Sequence, residues 1–112
     1  MSDIRMDNRV LLVAAVCVDK QGEAAQQARL DHMQGHLDYF ESILDKVAVA
    51  GPIFGKDGEP PIGSILVYKT ADKAEARALL EADPYYHADI WEKVDLHLFR
   101  GAGGDLVGGK AW

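Results

Sequence analysis

The chain has 112 residues, 48% of them hydrophobic and 27% charged, with a formal net charge of −6. Those values describe one globular domain with a modest core. The acidic balance argues against nucleic acid and anionic membrane surfaces as partners, because both require a basic footprint.

The polar start, "MSDIRMDN", has no basic flank or cleavage site, and the apolar run after it is too short to span a bilayer. The expected location is the cytoplasm. Residues 9–19, "RVLLVAAVCVD", form a continuous apolar, β-branched run, the pattern of a strand buried on both faces. Cys17 is the one cysteine, so the chain has no internal disulfide, which fits a reducing compartment. With apolar neighbours and no adjacent base, Cys17 reads as a core residue rather than a nucleophile.

After the turn "KQGE", Leu30, Met33, Leu37, Phe40 and Leu44 recur at three- and four-residue spacing. That is the stripe of an amphipathic helix over residues 23–46. Gly35 interrupts it at a cost of about 1 kcal/mol against alanine, and marks either a close approach or a kink. A second strand covers 46–53 and a third 63–70. Between them lies "AGPIFGKDGEPPIGS", residues 50–64, with four glycines and three prolines. No helix follows it and the P-loop spacing is missing, so it reads as a long hairpin connection that walls a pocket.

Residues 70–82 predict a second helix, with Thr70 as N-cap. Asp83-Pro84 stops it and starts one more helical turn, with Asp83 as cap and Pro84 in first position. Residues 93–100 alternate as a fourth strand, with Val94, Leu96 and Leu98 on one face. The glycine-rich tail, 101–112, is expected to be extended or mobile, with Leu106, Val107 and Trp112 available to dock. Residues 1–100 then make one α+β domain of ferredoxin-like β-α-β-β-α-β order, an antiparallel sheet with both helices on one face. The other face needs cover, and a homodimer with sheets packed face to face supplies it.

Several residues at set spacing carry a resemblance. Arg29 stands seven residues before His36. "HLDYFESIL" leads to Gly51-Pro52, then Gly63-Ser64, then Asp83-Pro84-Tyr85. This order resembles the YCII-related (YciI-like) family of the dimeric α/β-barrel superfamily, from about Arg9 to Arg100. The chain departs from the family pattern in lacking an arginine three residues before His36, in its N-terminal extension and in its tail. The resemblance implies a homodimer with a cleft holding a histidine and an aspartate, here His36 and Asp83. It also implies relatives that include lyases such as dehydrochlorinases.

A histidine titrates near neutrality and suits proton transfer, and an aspartate can orient it. The expected function is acid-base chemistry on a small organic molecule, of lyase or isomerase type. The alternative is a non-catalytic ligand-binding or regulatory dimer on the same scaffold. Arg29, Ser64 and Tyr85 are the candidate substrate contacts, although Arg29 also reads as a solvated helix residue. His32 and His36 have the four-residue spacing of a metal pair, but no third ligand is apparent, so no metal and no cofactor are expected.

Overall fold

The computed structural model describes residues 11–58 and 60–110. Strand β1 is Leu12–Asp19; Arg9 and Val10, where the sequence pattern begins, lie outside the described residues. Helix α1 is Glu23–Ser42, entered through Gly22 at φ 106°, a left-handed conformation that favours glycine. A short 3-10 turn, Leu44–Lys46, leads into β2, Val47–Phe54. Then come β3 at Pro61–Tyr68, α2 at Lys73–Glu81, α3 at Pro84–His87 and β4 at Trp91–Phe99.

The four strands form one antiparallel sheet in the order β2-β3-β1-β4. Together with the helices this is the ferredoxin-like α+β arrangement. Register places Val13, Ala15 and Cys17 of β1 beside Tyr68, Leu66 and Ser64 of β3. On the other side they meet Leu98, Leu96 and Val94 of β4. Side chains alternate across a strand, so these residues share one face. Val13, Ala15, Cys17, Leu66 and Tyr68 form the core with Ile43, Ala76, Leu80, Tyr85, Ile90 and Trp91, and Val94 and Leu96 pack against it. The outer face of β1 is less covered, and Val18 is 44% exposed. The continuous apolar run marks a central strand correctly, but the helices cover only one of its faces.

The apolar stripe expected for α1 meets this core only at Phe40. Leu30, Met33, Leu37 and Leu44 are all exposed, Leu30 by 63%. The helix instead turns Ala28, Arg29, His36, Tyr39 and Phe40 inward, followed by buried Ile43. Arg29 is the buried residue of α1. Periodicity identified the helix, but its most apolar row is not its most buried row.

The glycine- and proline-rich stretch is also not one long loop. Pairing of β2 with β3 continues to Phe54 and Pro61, so Gly51, Pro52 and Ile53 belong to a strand. An edge strand tolerates proline because its outward N–H has no ladder partner to lose. The connection is a tight turn through Lys56–Gly58, with Gly58 at φ 74°.

The cap of α2 is Asp72, which accepts the Ala74 N–H at 2.8 Å. The expected cap, Thr70, sits two residues earlier, accepting the Asp72 N–H and donating to Glu75. Asp83 and Pro84 start α3 as the sequence indicates. The tail makes a small hairpin, β5 at Gly103–Gly104 and β6 at Gly109–Lys110, rather than an open coil. Val107 is buried and Leu106 is exposed; Trp112 lies outside the described residues. Among the described residues, no helix is long and apolar enough to cross a membrane.

Cys17 is fully buried. Burial, helped by the Asp83 and Asp19 charges, pushes its thiol up to about 12, which removes it as a nucleophile. Its backbone carbonyl sets a sharper constraint. A Cβ built on Gly63 would stand 2.4 Å from Cys17 O. Gly63→Ala is therefore expected to destabilise the fold by about 1–3 kcal/mol, as overpacking against backbone does. Denaturant unfolding measures it; an unchanged midpoint would show that the β1–β3 spacing yields freely.

Candidate functional site

Arg29 and His36 lie two helical turns apart, so α1 presents both to the same side. That side faces the inward row of β3 and the start of α3. Proline at the first position of α3 and Asp83 at its cap fix the chain there, and Asp83 Oδ1 accepts the Tyr85 N–H at 2.9 Å. Gly35 admits α3 against α1. A Cβ on Gly35 would meet Pro84 at 3.5 Å, an ordinary contact. The glycine thus marks a close approach between helices, not a kink or a ligand contact.

This geometry brings His36 and Asp83 together across 47 residues. His36 Nδ1 is 2.9 Å from both Oδ1 and Oδ2 of Asp83, and Asp83 has no solvent exposure. A carboxylate only accepts, so Nδ1 donates and carries the ring proton. The Nε2 lone pair is then left available on a ring that lines a cavity. The imidazole is held flat as well. It stacks on Tyr85 at 4.0 Å between centroids and 4° between planes, with Phe40 stacked at 5.5 Å.

Beside this pair lies a second ion pair. Arg29 Nε donates to Asp19 Oδ2 at 2.8 Å and Nη2 to Oδ1 at 2.9 Å. Nη2 also reaches Gly63 O at 3.1 Å and Ser64 Oγ at 3.2 Å. The guanidinium lies 4.9 Å from the centre of the Tyr85 ring. Burial works against the Arg29 charge, but the Asp19 hydrogen bonds and charge more than offset it, so its pKa is raised. Burial also lifts the Tyr85 phenol above its ordinary value, against the pull of Arg29, so it remains a protonated hydroxyl near neutral pH. Arg29 is therefore not a solvated helix arginine. Its Nε and Nη2 are occupied by its own chain.

The cavity between α1, β2 and β3 measures about 340 Å³, within the size range of small-molecule sites. The exposed stripe of α1, Leu30, Met33 and Leu37, forms one wall, and Ala50, Pro52 and Leu66 of the sheet form another. Arg29, His36, Ser64 and Tyr85 are the polar side chains that reach it. Of the residues singled out from sequence, these four line the cavity and Asp83 sits behind His36. His32 is exposed and does not line it. Among the described residues no group of three His, Cys, Asp or Glu side chains could hold a metal ion. Asp19 escaped sequence reading, as the last polar letter of an apolar run whose partner lies on a different element. Phe40 was read only as part of a stripe.

The YCII-related domain matches residues 12–100. The chain belongs to the YCII-related family. No curated protein matches it. Among solved structures, this YCII-related chain is similar to a 5-chloro-2-hydroxyhydroquinone dehydrochlorinase from Burkholderia phenoliruptrix AC1100, solved in complex with 2,5-dihydroxybenzoquinone. The identity is 26%, over 84% of this chain and 96% of that one, with a TM-score of 0.69. It is also similar to a nipsnap family protein with unknown function from Agrobacterium tumefaciens, at 21% identity over 87% of this chain and 92% of that one, TM-score 0.51. That second likeness concerns the fold alone.

The Gly35–Pro84 contact gives a direct handle on this YCII-related site. Gly35→Ala is expected to fit and to stabilise the helix by up to about 1 kcal/mol. Gly35→Leu should instead wedge α3 away and shift the Asp83 and Tyr85 amide resonances. Paired NMR spectra and thermal melts check this. A leucine that leaves both amides in place would mean α3 is not held by that contact.

Proposed function

We propose that this chain is a small-molecule enzyme in which His36 acts as a general base, of lyase or isomerase type. The observation that carries this reading is the His36–Asp83 pair. A fully buried carboxylate fixes the proton on Nδ1, leaving Nε2 as the basic atom at an apolar cavity. Nε2 would take a proton from an O–H or C–H of the bound molecule. In an elimination the released electron pair expels a leaving group; in an isomerisation the proton returns at another atom. Asp83 stabilises the imidazolium that forms. Ser64 Oγ accepts from Arg29, which turns its own proton toward another acceptor, and we assign that acceptor to an oxygen of the substrate. The flat Tyr85–His36 stack and the hydrocarbon walls suit a planar ring. The similarity to a dehydrochlorinase solved with a dihydroxybenzoquinone supports an oxygenated ring and an elimination.

The same reading includes a homodimer. Val18, Val49, Ile65 and Phe99 are all exposed. Strand alternation and register put them on the outer face of the sheet, away from the helices. A second copy of that face is the cover that matches it in shape and chemistry.

Hydroxylated quinols and quinones in deuterated water test the catalytic reading. Mass spectrometry follows deuterium entry at ring carbons, and ion chromatography follows chloride released from chlorinated members. The wild type is expected to accelerate one of these reactions, and His36→Asn to lose about 10²–10⁴-fold of that rate. A compound that binds in the cleft yet reacts equally slowly with both proteins would favour a ligand-binding module instead.

A further inference from the structure

An arginine in an apolar cleft is, by default, a clamp for carboxylate or phosphate, because its planar fork offers paired donors. Here one edge of the fork is already taken. Asp19 takes the Nε–Nη2 edge with two bonds of 2.8 and 2.9 Å. The remaining use of Nη2 is split between Gly63 O and Ser64 Oγ. No two-point edge with a free Nη2 is left for an incoming anion. The pair is also fixed in place, since the Arg29 and Asp19 side chains are only 9% and 7% exposed. Water screens such a pair weakly, and a buried partner does not swing aside.

We propose that Asp19 is a specificity residue: by neutralising Arg29, it makes the cleft select an uncharged, weakly acidic ligand and reject carboxylates and phosphate esters. The charges around the cavity support this. Arg29 and Asp19 cancel, and Asp83 remains, faced by His36. With His36 neutral, an arriving anion meets a net negative site of low polarity. A neutral acid meets no such barrier. When it passes its proton to His36, the new anion lies beside an imidazolium already paired with Asp83. Asp19 is the last residue of β1, and its carboxylate meets Arg29 at 2.8 and 2.9 Å. This selectivity rests on the reading of the cleft as a site for a small proton-donating molecule, but it concerns binding and not turnover.

Benzamide and benzoate are planar isosteres that differ in charge, and titrating each while following the Ser64 and Tyr85 amides by NMR isolates the charge effect. The wild type should prefer benzamide by about tenfold or more, since like charges in a desolvated cleft repel strongly. Asp19→Asn keeps the side-chain shape and frees the Arg29 charge, and should move the ratio toward benzoate by about tenfold or more. Asp19→Ser serves the same purpose if the asparagine variant does not fold. Equal binding of both probes to the wild type would overturn the proposal. So would an unmoved ratio in a folded Asp19 variant, or no response to either probe. His36 is intact throughout, so this selectivity can fail while His36→Asn still abolishes turnover, and the reverse.

Discussion

A carboxylate with no contact to water must find its hydrogen bonds within the protein, and Asp83 is such a group. Leaving it unpartnered would cost about 3–5 kcal/mol, as breaking a buried pair does. Two donors meet the requirement. The Tyr85 N–H comes with the start of α3, where Asp83 is the cap and Pro84 sets the first turn. The His36 ring comes from α1. The demand of one buried group therefore fixes how α3 sits against α1 and which nitrogen of His36 holds the ring proton.

Tyr85 connects this pair to the second one. Its ring stacks on His36 and lies under the Arg29 guanidinium, and its N–H binds Asp83. Stacking of this kind contributes about 0.5–1.5 kcal/mol beyond burial, enough to hold an imidazole in one orientation. Arg29 and Asp19 carry the β1–α1 connection to β3 through Gly63 and Ser64. Arg29 and His36 of α1 thus face inward while Leu30, Met33 and Leu37 wall the cavity. The orientation of α1 satisfies these two ion pairs together with the packing of Ala28, Tyr39 and Phe40 against the core.

Much of the fold was legible because local patterns were strong. The run from Leu12 to Val18 could only be a strand, and Asp83-Pro84 could only be a boundary. The order of elements then followed, and with it the ferredoxin-like sheet. The rotation of α1 was not legible, because periodicity identifies an apolar row without saying which wall it meets. The second strand was legible through Gly51-Pro52 to Ile53, but the continuation of its ladder with β3 out to Phe54 and Pro61 was not, because proline tolerance depends on a strand being at an edge, which is known only once the sheet is assembled. His36 and Asp83 were named through family resemblance; their spacing of 47 residues carries no pattern of its own. Asp19 went unseen because its partner, ten residues on, is met only after the chain turns from strand to helix.

The central claim is that Asp83 holds the ring proton of His36 on Nδ1 and leaves Nε2 basic toward the cavity. Long-range nitrogen–proton NMR of the histidine rings, at a pH where His36 is neutral, tests this most directly. The account predicts a protonated-type shift for Nδ1 and a lone-pair-type shift for Nε2 in the wild type. A proton found on Nε2 would contradict it, since the nitrogen at the cavity would then be a donor and His36 could not act as the base.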